Sequence, residues 1–147
     1  MEMNALLEIT EGILDKARVG ILTTIGRDGR PWTRWMTPAM LRGQKGTIYA
    51  ITAEGFRKVE HIRENHNVSW MIQKNTMDEV IHLTGKASIV DNPTLKADVL
   101  EAIGGHLGNF WRLNRENLEL VVIETVIEEI DYYDPMKGSR ASSAVHI

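Results

Sequence analysis

Residues 19–41 read VGILTTIGRDGRPWTRWMTPAML, and this stretch decides the fold. Val19 to Ile25 is a short, apolar, β-branched run that predicts a buried strand. Gly26-Arg27-Asp28-Gly29-Arg30-Pro31 is dense in turn formers and contains the Asp-Gly pair that favours hairpins. Trp32 to Leu41 predicts the returning strand. Two strands joined by so short a turn must pair antiparallel.

Working outward, Asn4 to Arg18 places Leu6, Leu7, Ile9, Ile13, Leu14 and Ala17 at helical spacing. Glu2, Glu8 and Glu11 precede Lys16 and Arg18, an order that complements a helix dipole. After the turn Arg42–Gly46, Thr47 to Thr52 predicts a third strand, read as continuing a meander. Phe56, Val59 and Ile62 then fall three apart, which predicts a short helix over Gly55 to Asn65 with Thr52 in its cap region. Asn67–Gln73 and Val80–Val90 predict two more strands, with Gly85 at a bulge in the second. Asp91-Asn92-Pro93 opens a helix that runs to about Ile103. His106 to Arg115 reads as a second short helix or a loop, Leu118 to Tyr133 as a long last strand, and residues 135–147 as a loose tail. The expectation is therefore one domain over residues 1–147, mainly β with flanking helices. Its strands are expected to close into a small antiparallel barrel, since a doubly wound parallel sheet would need helices that are missing.

Composition narrows the function. The chain has 147 residues, 43% hydrophobic and 25% charged, and a formal net charge of −3. That balance argues against nucleic acid as a partner. No apolar run approaches the roughly 18 residues of a spanning helix, and no basic-then-apolar leader opens the chain, so no membrane association and a cytoplasmic location are expected. Cysteine is absent, which excludes disulfides, Cys-based zinc sites, iron–sulfur clusters and thiol catalysis. No Gly-rich phosphate loop or GxSxG elbow occurs. His61 and His66 are five apart, the wrong spacing for a zinc pair on one helix face, and His82, His106 and His146 are scattered, so no metal site is expected. Single histidines so placed read as surface or hydrogen-bonded core groups.

The charge is uneven. Arg30, Arg34, Arg42, Lys45, Arg57, Lys58 and Arg63 share their span with only Glu54 and Glu60. A local basic cluster on an acidic chain suits a small anion, and a solvated basic surface accounts for the charge equally well. Arg57 and Lys58 open the second helix, where backbone donors and the dipole add to side-chain charge, and Arg34 on a neighbouring strand could close such a pocket from the side. The strand backbone at Trp35 to Thr37 would then be free to bond a flat polar ring. The same Arg57 and Lys58 would also serve merely to cap and solubilise a helix, and spacing alone leaves both readings open.

The run over 19–41, then TIYAITAEGFRKVEHIRENHNVSWMI (47–72) and VIHLTGKASIVDN (80–92), resembles the pyridoxamine 5′-phosphate oxidase-like split barrels that bind flavin mononucleotide (FMN), and within them the general-stress-protein branch. The similarity runs from about Leu6 to Asp134. It implies a split β-barrel homodimer with FMN at the subunit interface and a small-molecule redox substrate. It assigns Arg34, Arg57 and Lys58 to the flavin phosphate, and Trp35, Met36, Thr37, Ile51 and Thr52 to the ring and ribityl chain. Tyr133, in IDYYDP (130–135), stands where that branch more often has Trp. Two departures stand out. The chain ends DPMKGSRASSAVHI where vitamin-acting oxidases carry an Arg- and Trp-rich segment, and Val80 replaces a Gln those enzymes use as a flavin contact. The resemblance thus implies an FMN-dependent oxidoreductase other than a true pyridoxamine 5′-phosphate oxidase. The alternatives are a non-enzymatic flavin-binding stress protein, or a relative that uses deazaflavin or haem.

A further expectation concerns the second strand. Trp32 and Met36 share one face by period two and Trp35 takes the other, so an aromatic, Met-rich face is left for a second copy of the chain.

Overall fold

The computed structural model describes residues 1–76, 78–104 and 119–145. The elements are α1 (Met3–Ala17), β1 (Gly20–Ile25), β2 (Pro31–Met36), β3 (Thr47–Ala53), α2 (Arg57–Glu64), β4 (Asn67–Gln73), β5 (Val80–Val90), α3 (Pro93–Ala102), β6 (Leu120–Asp134) and β7 (Ser139–Ala144). The reading of 106–115 lies outside the described residues. No described helix is long and apolar enough to cross a membrane.

The seven strands form one antiparallel sheet in the order β2-β1-β4-β5-β6-β3, with β7 also on β6. The hairpin at 26–30 forms as its turn residues dictate, with Gly29 at φ +83° and Ile25 paired to Pro31. β4 and β5 match their expected spans to the residue, and the register shifts between Thr84 and Gly85 as a bulge requires. A Cβ at Gly85 would lie 2.2 Å from the Val126 carbonyl oxygen, so only glycine fits this crossing of β5 over β6.

Four expectations are corrected. The first three strands are no meander: β3 leaves β2 and pairs along its length with β6, from Thr47↔Val126 to Ala53↔Leu120. Burial explains this. Ile48 to Ala53 are buried on both faces of β3, and no such strand can lie beside the exposed β2. Second, β2 stops at Met36 instead of Leu41. Pro38 offers no N–H, and beyond it Ala39 and Tyr49 exchange two 2.8 Å hydrogen bonds, an isolated bridge that links the β2 side back to β3 and closes the barrel incompletely. Third, the tail is no loose end. Buried Asp134 accepts from the backbone N–H groups of Met136 and Lys137, the chain turns at Gly138, and Ser139–Ala144 pairs with the last third of β6. Ala141 packs on the core. A polar strand can do this because it covers an edge that backbone bonds alone can satisfy. Fourth, Thr52 does not cap α2; the cap is Phe56, which supplies no side-chain acceptor.

The main core fills the barrel and carries α1, through Leu6, Leu7, Ile13 and Leu14, against Leu22, Ile48, Trp70, Ile72, Leu83 and Ile130. Trp70 is fully buried, and its indole N–H donates to Thr125 Oγ1 at 3.1 Å. Tyr49, Ile51 and Ala53 on the other face of β3 build a second cluster with Val99 and Ile103 of the α3 region. Alternation along β3 thus serves two cores at once.

Candidate functional site

β1 is the pivot of the site. Its centre is flanked by β2, with Leu22 opposite Arg34 and Thr24 opposite Trp32, and α2 packs against it. Trp32 and Arg34 are two apart on β2 and so share a face, which looks toward the start of α2. The loop Glu54–Phe56 delivers that start: Gly55 holds φ +89°, and the chain enters the helix at Arg57. The result is a cleft of about 620 Å³ lined by Trp32, Thr33, Arg34, Gly55, Phe56, Arg57, Lys58 and Glu60. Cofactor and ligand sites commonly fall in this size range.

Its charge is concentrated. The Arg57 guanidinium lies 4.2 Å over the Trp32 ring, and the Lys58 ammonium 4.6 Å over the Phe56 ring. Arg34 donates from Nη1 to Thr24 Oγ1 at 2.8 Å and to the Leu22 carbonyl at 3.3 Å. Neighbouring acids are taken: Glu54 pairs with Arg63 and Glu64 with Arg27, each at 2.5 Å. Among the described residues, Arg34, Arg57 and Lys58 have no ion-pair partner, and Glu60 is the one carboxylate on the cleft's lining. Partial burial and, secondarily, the Arg57 charge push the Arg34 guanidinium below its ordinary value. Partial burial and then Arg34 do the same to Lys58. The cleft thus gathers three cations, Arg34, Arg57 and Lys58, against the single carboxylate of Glu60. No side chain caps α2; the Val59 N–H bonds the Phe56 carbonyl at 3.0 Å, which leaves the Arg57 and Lys58 backbone N–H groups to the same space.

Of the residues singled out in the sequence, Arg34, Arg57 and Lys58 come together here. The others do not line this cleft. Trp35 points away and is 77% exposed, and Met36 packs against the main core. Thr37 lines a separate hollow of about 140 Å³ beside Arg18 and Pro38. Ile51 is buried in the second cluster. Thr52 is also buried, and its hydroxyl has no hydrogen-bond partner, which is unusual for such a group. Tyr133 stands on β6 at a third cleft, of about 310 Å³, with His82, Asp131 and Arg140, and the Arg140 guanidinium stacks on its ring at 4.4 Å. Sequence reasoning missed the parts played by Trp32, Phe56 and His61. Spacing could have flagged two of them: Trp32 is two before Arg34 on a strand, and His61 is four after Arg57 on a helix.

The model of the family described as pyridoxamine 5′-phosphate oxidase matches residues 6–134. The chain belongs to the pyridoxamine 5′-phosphate oxidase family. Solved structures with the family's split-barrel fold are similar over nearly the whole chain. General stress protein 26 of Bacillus anthracis str. Sterne has a TM-score of 0.67 and 22% identity, covering 95% of this chain and 98% of its own. A pyridoxamine 5′-phosphate oxidase-related, FMN-binding protein from Nostoc punctiforme has a TM-score of 0.65 and 13% identity, with coverage of 95% and 96%. A haem-binding protein from Mycobacterium smegmatis has a TM-score of 0.71 and 16% identity, covering 95% of this chain and 57% of its own. At these identities the likeness speaks for the fold. No curated protein matches the chain.

Proposed function

We propose that the chain is an FMN-binding protein of this family that grips the flavin phosphate in the cleft between β2 and α2. The observation that carries this reading is the convergence of Arg34, Arg57 and Lys58, three cations against the one carboxylate of Glu60, at a helix start that no side chain caps. A phosphate monoester answers each of these features: it balances the cations, accepts from the free backbone donors and opposes the dipole's positive end. Arg34 presents a planar fork, Lys58 a point charge, and Arg57 is held in place by its stack on Trp32.

Bound FMN supplies hydride- and electron-transfer chemistry, so we read the protein as an oxidoreductase acting on a small molecule. The walls bind and orient. Vitamin-type activity is disfavoured because β7 carries Ser139, Ser142 and Ser143 around its single Arg140. We further propose a homodimer. β2 is an edge strand whose Trp35 is 77% exposed and Trp32 40% exposed, and a second copy would cover them by a closed two-fold pairing. Titration of apo-protein with FMN should quench flavin fluorescence and saturate at one flavin per chain. Absence of saturable binding at high micromolar flavin would overturn the reading and favour deazaflavin or haem. If FMN binds and no nicotinamide donor bleaches it, the non-enzymatic alternative stands.

A further inference from the structure

We propose that His61 is a positioning residue which, through the Thr24 hydroxyl, holds the Arg34 guanidinium in the pose that grips phosphate; this rests on the FMN reading of the cleft. His61 sits on α2 and is buried, and Thr24 on β1 is fully buried. His61 Nδ1 is 2.9 Å from Thr24 Oγ1, and Arg34 Nη1 is 2.8 Å from the same oxygen. Three elements thus meet at one hydroxyl.

Donor counting gives the arrangement a direction. Arginine can only donate, so Thr24 Oγ1 accepts from Arg34; the hydroxyl is fully buried, and among the described hydrogen bonds His61 Nδ1 is the one acceptor open to its proton, so satisfying that proton makes Nδ1 the acceptor. That makes His61 neutral, with its proton on Nε2. A protonated His61 would leave the buried Thr24 proton without its acceptor. Burial, followed by the Arg34 and Arg57 charges, holds the imidazole below its ordinary value, against smaller opposing effects of Glu60 and Glu64. The other N–H of Nη1 goes to the Leu22 carbonyl. Both hydrogens of Nη1 are then committed to β1, and the three donors on Nη2 and Nε remain for a ligand. The anchor is needed because Arg57 and Lys58 repel Arg34 and no acid draws it inward. Trp32, whose ring centre is 6.0 Å from that of His61 and which carries Arg57 above it, roofs the same point.

The test compares His61→Leu, which removes the acceptor, with His61→Asn, whose carboxamide oxygen, like Nδ1, is bonded to Cγ. FMN and riboflavin affinities and the Arg34 side-chain NMR signals are measured for each. His61→Leu should weaken FMN about tenfold, the scale of a misplaced hydrogen bond to a charged group, and riboflavin by no more than about twofold. His61→Asn should restore most of the FMN affinity. In an Arg34→Ala background, His61→Leu should have almost no further effect on FMN, because the residue it positions is gone. The Arg34 guanidinium signals should broaden or average in His61→Leu and stay resolved in His61→Asn, in apo-protein as well. Equal losses in both variants, equal losses for both flavins, or an undiminished effect without Arg34 would each overturn the proposal. Should His61→Leu not fold, Thr24→Val against Thr24→Ser makes the same comparison. If the wild-type protein fails to bind FMN, the reading of the cleft fails. The apo-protein NMR arm still decides whether His61 fixes Arg34, and unchanged Arg34 signals there refute the positioning role.

Discussion

Lys58→Met separates the role of charge from that of packing. The substitution keeps a long apolar stem of similar reach and removes only the ammonium. In the folded chain that ammonium is half-buried, feels the Arg34 charge and has no acidic partner among the described residues. Removing it relieves desolvation and repulsion but forfeits its contact with the Phe56 ring, an interaction worth about 0.5–1 kcal/mol at an exposed site. The two effects oppose each other, so apo-protein stability should change by less than about 1 kcal/mol, or roughly 2–4 °C in Tm for a domain of this size. Binding should behave differently. A hydrogen bond between an ammonium and a phosphate is worth about 1.5–3 kcal/mol. At about 1.4 kcal/mol per decade, FMN affinity should fall roughly 10- to 150-fold. Riboflavin, which lacks the phosphate, should be nearly indifferent. Fluorescence titration with both flavins and a thermal melt of the apo-protein measure all three quantities. An unchanged FMN affinity, or an equal loss for riboflavin, would refute the assignment of this cation to phosphate. A Tm drop beyond about 8 °C would show that the ammonium is instead structural.

Other consequences can be checked together. Light scattering at low micromolar concentration should give about twice the 16.6 kDa chain mass, and Trp35→Glu should reduce it to the single-chain value by charging the exposed β2 face; a flavin-loaded wild-type monomer would contradict the shared-interface reading. His61 is held below its ordinary value of 6.5, so between that pH and its lower folded-state value the unfolded chain takes up the proton more readily. Its contribution to stability is therefore present above pH 6.5 and lost as the pH falls below 6.5 through the lower folded-state value, and His61→Asn should flatten that part of a denaturant-midpoint profile. Gly85→Ala should cost about 3 kcal/mol, because its Cβ would meet backbone at 2.2 Å; a Tm within about 2 °C of wild type would show that β6 shifts freely.

Legibility followed the range of the interactions. The β1–β2 hairpin and the strands β4 and β5 were legible because turn chemistry and alternation are local. The partner of β3 was not, since β6 lies some seventy residues later and only burial on both faces of Ile48–Ala53 dictates the pairing. β7 was hidden because Ser139–Ala144 carries no apolar alternation and is recruited by the free edge of β6. In the site, Arg57 and Lys58 announced themselves as adjacent cations at a helix start, and Arg34 by its place on the returning strand. The Thr24–His61 contact spans 37 residues and joins two ordinary residue types, so nothing in the sequence pattern marks it.

The measurement that bears most directly on the central claim is the absorbance spectrum of the protein as purified, followed by the mass of whatever it releases on denaturation. The account predicts a yellow protein with an oxidised-flavin spectrum, and a released molecule with the mass of FMN. A haem Soret band, or a released deazaflavin, would contradict it.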